Sequence, residues 1–335
     1  MSTLIIPQDL VPELLPMGDC VDAMAEALGA LARGDAVLPL RTMVWMPDKS
    51  GLLGTMPGYL GAPKSLGIKV IAYLPGNHGT DRDSHQGAVL LFDTENGDLL
   101  AVIDASSITA IRTAAASGLA TRLLAREDAG DLAILGSGVQ ASAHLDAMKT
   151  VRKLRRVRVF SRSIEQARNF ARHHEKELGL AIEAAGSAEE AARGADLICT
   201  ATASPEPVLL GDWIAEGAHI NAVGACFPKA RELDTRAVVK ARLFVDRRES
   251  ALAEAGDFLI PKAEGAIGDD HILGEIGEIA IGRLPGRRSP REITLFKSLG
   301  IAVEDLAAAH RIHDRARKLG KGLEVEFGGR RVAYE

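Results

Sequence analysis

The chain has 335 residues, 47% apolar and 25% charged, the composition of a globular protein with one large or two ordinary domains. Its net charge of −5 argues against a nucleic-acid partner, because that function usually leaves a basic surface. No apolar run is long enough to predict a membrane span, and no signal peptide is recognisable, so we expect a cytoplasmic protein. The three cysteines are widely spaced and indicate neither a disulfide framework nor a metal site.

The first 105 residues are predicted to form antiparallel strands around one helix. Apolar residues have helical spacing from Pro12 to Arg33. Strand-like segments follow, and the Asn-Gly pair at 96–97 indicates a hairpin between the last two of them. The predicted strands cover 37–45, 51–56, 65–74, 87–93 and 98–104.

The rest of the chain changes to a regular alternation of strands and helices. A helix rich in small residues is predicted from Ser106 to Leu124, and residues 131–245 then repeat a strand–helix pattern that is typical of a doubly wound parallel sheet. The glycine-rich segment 253–288 has no clear pattern apart from a short helix near 276–281. The remaining predicted elements are a strand at 292–296, a helix at 302–319 and an edge strand at 323–327 that returns to the N-terminal sheet.

A glycine-rich turn at 136–141 has the pattern of a dinucleotide-binding loop. It matches G-x-G-x-x-[G/A] and lies between a short apolar strand and a predicted helix. Gly136 allows the tight turn, and Gly138 lets a pyrophosphate approach the backbone. The helix N-terminus at Val139 and Gln140 offers N–H groups to the phosphates. We therefore expect a nicotinamide dinucleotide.

The end of the second predicted strand indicates which dinucleotide is used. An NAD enzyme is expected to carry an acidic residue about 20 residues beyond the glycines, where it binds the ribose. That place is taken here by Ser161, Arg162 and Ser163, two hydroxyls and a guanidinium that suit a 2′-phosphate. The sequence thus predicts NADP(H) as the preferred cofactor, with NAD(H) possible. The alternative is that Arg162 is only a solvated side chain at a strand end.

Three cations lie among apolar neighbours: Arg41 and Lys69 in predicted strands, and Arg112 in the small-residue helix. A buried cation is costly unless a carboxylate or a ligand satisfies it. Together the three would suit a site for a small carboxylate, which an arginine can bind bidentately. The alternative is that each cation reaches solvent or pairs with one of the 45 acidic residues.

Several motifs together resemble the ornithine cyclodeaminase/mu-crystallin family. They are GIKV at 67–70, QGAVLLFD at 86–93, ITAIRTAAASG at 108–118, GSGVQA at 136–141, NAVG at 221–224 and LFKSLGIAVED at 295–305. The resemblance implies an α/β fold in which a Rossmann-type doubly wound parallel sheet, residues 117–305, is inserted in an α+β domain. That second domain, residues 1–116 and 306–335, would bind substrate and form a homodimer.

The resemblance also implies roles for the three cations. Arg41 and Arg112 would hold the α-carboxylate of the substrate, and Lys69 would lie near the reacting carbon or the imine nitrogen. Lys69, or a water that it orders, is the predicted proton donor, with His85 as an alternative. Further cofactor contacts are implied at Thr200, Ala201, Thr202, Val223, Gly224 and Gly300.

One position departs from the cyclodeaminase pattern. Those enzymes carry an aspartate in V-G-x-D that handles the substrate amine, whereas this chain has Cys226 there. A thiol is a poor substitute for a carboxylate that must pair with an ammonium group. The sequence therefore predicts an NAD(P)H-dependent reductase of cyclic α-imino acids. Its substrates would be Δ1-pyrroline-2-carboxylate or Δ1-piperideine-2-carboxylate, and its products L-proline or L-pipecolate.

Two alternatives to the reductase stay open from the sequence. The first is an ornithine cyclodeaminase or a related amino-acid dehydrogenase, in which Asp81 or Asp83 would replace the missing acid. The second is a non-catalytic, NADP-dependent ligand-binding protein, although such a protein needs no cationic clamp for a carboxylate.

Overall fold

The computed structural model describes residues 2–77 and 80–328. The N-terminal elements are β1 (Ser2–Ile6), α1 (Val11–Leu14), α2 (Met17–Arg33), β2 (Ala36–Val37), β3 (Thr42–Trp45), β4 (Leu52–Gly61), β5 (Lys64–Tyr73), β6 (His85–Phe92), β7 (Leu99–Asp104) and α3 (Ala105–Leu124). The central elements are β8 (Asp131–Leu135), α4 (Val139–Val151), β9 (Arg156–Phe160), α5 (Ile164–Leu178), β10 (Ile182–Ala184), α6 (Ala188–Ala192), β11 (Leu197–Thr200), β12 (His219–Ala222), α7 (Thr235–Lys240) and β13 (Ala241–Val245). The last elements are α8 (Arg248–Glu254), α9 (Gly256–Ala263), β14 (Ile272–Glu275), α10 (Ile276–Ala280), β15 (Ile293–Lys297), α11 (Ala302–Leu319) and β16 (Leu323–Glu326).

The chain divides into two compact units. The first contains Met1–Arg112 and Ile301–Glu335, and the second contains Thr113–Gly300. Each unit is built on its own sheet of eight described strands. No helix among the described residues is long and apolar enough to cross a membrane.

The sheet of the first unit has the order β16-β1-β7-β6-β5-β4-β2, with β3 also paired to β4. Neighbours from β4 to β7 are antiparallel, as expected from the sequence. The predicted return of the C-terminal segment is confirmed, because β16 pairs with β1. The strand β1 was not foreseen, and it lies parallel to β7.

Two predicted elements of this unit are interrupted, in both cases close to a proline. The helix expected over 12–33 is divided into α1 and α2, with Pro16 as the N-cap of the second helix. The strand expected over 37–45 is divided into β2 and β3, on either side of Pro39. Proline has no N–H to donate and restricts the residue before it, so it ends regular pairing. Arg41 therefore lies in a connection, not in a strand.

The helix α11 packs against the strands β4, β5 and β6. A glycine on β5 makes this approach possible: a Cβ at Gly67 would lie 2.7 Å from Leu306 of the helix and would clash with the Leu90 carbonyl. The first two turns of α11 are buried, including the charged residues Glu304 and Asp305. These two acids face the element that carries Lys69.

The sheet of the second unit has the order β10-β9-β8-β11-β12-β15-β13-β14, with every pair parallel. The first five strands in chain order are arranged 3-2-1-4-5, the Rossmann arrangement, so the predicted doubly wound fold is confirmed. The late strand β15 is inserted between β12 and β13, which no local pattern indicated. The order reverses between β8 and β11, and nucleotides bind at the carboxyl ends of strands at such a point.

Candidate active site

Lys69 lies on the face of the first sheet that α11 covers. It pairs with Met56 of β4 and Val89 of β6, and its side chain is only 3% exposed. Its ammonium nitrogen lies 2.9 Å and 2.8 Å from the two carboxylate oxygens of Asp305, in the first turn of α11. The carboxylate supplies the compensation that a buried lysine requires.

Arg112 joins this pair and completes a group of four charges. Its Nε donates to Asp305 Oδ1 at 2.9 Å, and its Nη1 donates to Glu304 Oε2 at 2.8 Å. All four side chains are buried. Two positive and two negative charges cancel, which is the condition under which buried ions are tolerated. We refer to Lys69, Arg112, Glu304 and Asp305 as the buried quartet.

The quartet makes Lys69 the member that can exchange a proton near neutral pH. Burial lowers the pKa of Lys69 to about 8, and Arg112 acts in the same direction, while Asp305 opposes both. Burial also acts to lower the pKa of Arg112, but Asp305 and Glu304 outweigh it and raise that pKa. Arg112 therefore stays charged. A pKa close to the working pH is what general acid catalysis favours.

Arg41 lies in line with Lys69 across the sheet. It immediately precedes β3, whose first residue, Thr42, pairs with Thr55 of β4. The next residue of β4, Met56, is the partner of Lys69. Two strand spacings, about 10 Å, therefore separate the backbones of Arg41 and Lys69. The role of Arg41 at the substrate carboxylate stays a prediction, as do the roles of the other site residues.

The structure agrees with both interpretations of the buried cations, carboxylate binding and pairing with acidic residues. Lys69 and Arg112 do converge, as a carboxylate-binding site requires, and they also pair with acidic residues, as the alternative reading stated. Within the quartet, Arg112 uses its Nε and Nη1 groups. His85, the alternative proton donor, is exposed at the start of β6, four residues from the partner of Lys69.

Glu304 and Asp305 are the functional residues that the sequence analysis missed. They belong to the motif at 295–305, and the family resemblance implies no role for them. A signal was present, because two adjacent acids stand in the segment AVEDLAAA, where apolar residues occupy every face of the helix. An acidic residue on a helix that is apolar on every face must be buried, and a buried carboxylate indicates a cationic partner.

The glycine-rich loop of the second unit has the geometry that a pyrophosphate requires. Gly136 has a φ of +126°, and a Cβ there would clash with the carbonyl of Ala201 at the end of β11. At Gly138 a Cβ would meet no atom within 4 Å, so the space above it is open. No side chain caps the first turn of α4, where Val139 is exposed. The N-terminal N–H groups of α4 can therefore bind phosphate, and these residues fit a dinucleotide.

The residues expected at the 2′-phosphate are placed at the end of β9. Ser137 of the glycine loop donates a hydrogen bond to Ser161 at 2.9 Å. Arg162 is exposed and has no ion pair with any described residue. Ser163 is the N-cap of α5, where its hydroxyl accepts from the N–H of Gln166. An available guanidinium beside the ribose position is compatible with a 2′-phosphate.

Several other predicted cofactor contacts are used internally. The hydroxyls of Thr200 and Thr202 and the N–H of Gly224 are donated to the buried carboxylate of Glu232. The N–H of Gly300 is donated to another buried carboxylate, that of Asp246, at 2.7 Å. The Val223 N–H bonds the Thr200 carbonyl. These loops are thus held by buried acids that the sequence analysis did not identify.

Comparison with known proteins identifies relatives that cover most of the chain. The family model for the ornithine cyclodeaminase/mu-crystallin family matches residues 1–320. The ketimine reductase mu-crystallin of Mus musculus is 43% identical over 281 residues, 84% of this chain and 86% of that protein. The structure of Thermococcus litoralis Δ(1)-pyrroline-2-carboxylate reductase with NADH and L-proline is 39% identical, with a TM-score of 0.94 and coverage of 96% of this chain and 100% of that one. A dimeric archaeal alanine dehydrogenase with bound NAD is 33% identical, with a TM-score of 0.92 and coverage of 98% and 100%.

Proposed function

The chain belongs to the ornithine cyclodeaminase/mu-crystallin family, and on that premise we propose that it is an NAD(P)H-dependent reductase of cyclic α-imino acids. The substrate would be Δ1-pyrroline-2-carboxylate or Δ1-piperideine-2-carboxylate, reduced to L-proline or L-pipecolate. The buried quartet carries the proposal, because it places a lysine with a pKa of about 8 beside a permanently charged arginine. The relatives named as ketimine and pyrroline-2-carboxylate reductases support the same reaction class.

The reaction consumes one imine, one NAD(P)H and one proton, and yields the cyclic amine and NAD(P)+. A nicotinamide cofactor, when bound, would supply the hydride for the imine carbon. Lys69 in its ammonium form donates the proton to the ring nitrogen, and Asp305 keeps the amine oriented afterwards. Arg112, with Arg41, binds the substrate carboxylate and fixes the position of the imine. The α4 N-terminus and the glycine loop would hold the cofactor pyrophosphate.

A cyclodeaminase reaction is the second candidate, and Cys226 argues against it. The Cys226 thiol lies 3.5 Å from the Val223 carbonyl, at the position where cyclodeaminases carry their aspartate. Asp81 and Asp83, the replacements considered, belong to the loop before β6. Neither of them is one of the acids in the quartet.

The assay that tests the proposal follows NADPH absorbance with freshly prepared pyrroline-2-carboxylate and, separately, piperideine-2-carboxylate. A parallel reaction contains L-ornithine and NAD+ and measures released ammonia. We expect NADPH oxidation with at least one imine and no ammonia from ornithine. Ammonia release would favour the cyclodeaminase. Tight NADPH binding without turnover in either reaction would favour a ligand-binding protein.

We propose NADP(H) as the preferred cofactor, although the solved relatives hold NADH or NAD. Arg162→Ala is expected to weaken NADPH binding by about 10- to 100-fold, because it removes a charge-assisted bond to the 2′-phosphate. NADH binding should stay within about twofold. The matched control is Arg168→Ala, which removes another exposed arginine from the same region. Equal losses for NADPH and NADH in Arg162→Ala would contradict the preference.

We propose a homodimer formed through the first unit, as the alanine dehydrogenase relative forms a dimer. Val44 of β3 and Leu53 of β4 are direct partners, and their side chains are 64% and 45% exposed. Leu66 of β5 is exposed on the same face, farther along the sheet, where it pairs with Tyr59 of β4. Apolar surface of this kind marks an interface. Sedimentation should give twice the chain mass of 35.5 kDa, and the double variant Val44→Lys with Leu53→Lys should give the monomer. An unmodified protein that sediments as a monomer would contradict the proposed homodimer.

We also propose a cytoplasmic location, which stays a prediction.

A further inference from the structure

A single buried carboxylate joins the loops that follow β11 and β12. Glu232 is fully buried, and four hydrogens are donated to its two oxygens. Oε2 accepts from the Thr200 hydroxyl at 2.8 Å and from the Gly224 N–H at 2.6 Å. Oε1 accepts from the N–H and the hydroxyl of Thr202, both at 2.7 Å. One of the two partners of each oxygen is a backbone N–H, which can only donate, so each oxygen must act as an acceptor.

A second layer of buried charges fixes Glu232 itself. Asp257 accepts the N–H groups of Glu232 and Leu233 at 2.8 Å and 3.0 Å, and its other oxygen lies 3.0 Å from the ammonium of Lys297. Lys297, the last residue of β15, also donates to the Ala222 carbonyl at the end of β12. Burial, together with Asp257, holds the pKa of Glu232 above its usual value, although Lys297 and the bonds from Thr202 act in the opposite direction. Glu232 therefore has little freedom to move.

The two loops that Glu232 joins lie very close together. A Cβ at Gly224 would clash with the Thr202 carbonyl and would lie 2.6 Å from Glu232 Oε1. Only glycine at position 224 allows this approach of the two loops. The carboxylate thus determines the backbone positions at the carboxyl ends of two adjacent parallel strands.

The position of these strands in the sheet suggests what the loops hold. A Rossmann sheet binds a dinucleotide across two halves that meet where the strand order reverses. The glycine loop and Arg162 belong to the first half, on β8 and β9. The loops held by Glu232 belong to the second half, on β11 and β12, where the other nucleotide of the cofactor would lie.

We propose that Glu232 is a positioning residue for the nicotinamide half of the cofactor, acting through the loops at Thr202 and Gly224. This inference rests on the proposed function only in assuming a nicotinamide dinucleotide. A glutamine in place of Glu232 has one acceptor oxygen and one donor group. In either orientation its NH2 group would face two of the four donors, including one backbone N–H, from Thr202 or from Gly224, and that N–H would lose its acceptor.

The test compares two ligands that differ only in the nicotinamide ring. Glu232→Gln is expected to weaken NADPH binding by about 10- to 100-fold, measured by calorimetry, because two hydrogen bonds are lost. Binding of 2′-phospho-ADP-ribose, which lacks the ring, should stay within about twofold. The fluorescence of bound NADPH should also move toward that of free NADPH, since the ring is no longer held. Thr202→Val removes one hydroxyl donor only and should give a smaller loss in the same direction.

Asp196→Asn is the matched control. Asp196 also accepts several bonds, from two arginines and two backbone N–H groups, but it precedes β11 and so lies at the opposite end of that strand. This variant should not discriminate between the two ligands. Parallel loss of both ligands in Glu232→Gln and Thr202→Val, or no loss in either, would overturn the inference. Unmodified protein that binds NADPH but reduces no imine would contradict the proposed function alone.

Discussion

Replacing Lys69 with methionine is expected to lower kcat/KM for imine reduction by about 10²- to 10⁴-fold, the usual contribution of a positioned acid. Methionine has a similar length but carries no proton. Lys69→Arg is the informative control, because arginine keeps the charge and does not release a proton in this pH range. We therefore expect Lys69→Arg to lose most activity while NADPH binding is retained. Full activity in Lys69→Arg would show that only the charge at this position matters.

The pH dependence of the reaction tests the same role without removing the lysine. Since Lys69 must be protonated to act, kcat/KM should fall as the pH rises through about 8. Asp305 raises the pKa of Lys69, so Asp305→Asn should move this fall to lower pH. The difference between the two profiles is independent of the protonation of the imine, which is common to both. An unchanged profile in Asp305→Asn would exclude Lys69 as the titrating group.

Replacing Arg112 with alanine is expected to reduce the free energy of unfolding by about 3–5 kcal/mol, the cost of breaking a buried ion pair. Glu304 would lose its Nη1 donor, and Asp305 would keep only Lys69 as a charged partner. Chemical denaturation followed by circular dichroism measures the loss. A change below about 1 kcal/mol, within the range of exposed pairs, would contradict the buried quartet.

Arg112→Lys separates stability from substrate binding. Lysine keeps one charge in the quartet but lacks the planar fork that binds a carboxylate bidentately. We expect KM for the imino acid to rise by about tenfold or more, with NADPH affinity unchanged. An unchanged KM would remove Arg112 from the substrate carboxylate site and leave it a structural role.

The sequence by itself determined the features that depend on neighbouring residues. The alternation of apolar strands and helices over 131–245 predicts the Rossmann sheet, since each element must bury one face. Gly136 and Gly138 predict the nucleotide-binding loop. The tight turn and the open space above the backbone, through which a phosphate can approach, both depend on a few adjacent residues. Lys69 and Arg112 could be singled out because a cation among apolar residues is expensive wherever the chain folds.

Only the tertiary structure decided which distant residues satisfy these requirements. The partner of Lys69 is Asp305, 236 positions away, and no spacing rule connects them. Glu232 bonds to both Thr202 and Gly224 because the strands that precede these two residues, β11 and β12, are neighbours in the sheet. The strand β15 lies between β12 and β13, although it follows both of them in the sequence. A local sequence pattern indicates that a charged side chain requires a countercharge, or that an apolar face must be buried. Which residue supplies it is settled when the elements pack, because burial brings together side chains that the sequence keeps far apart.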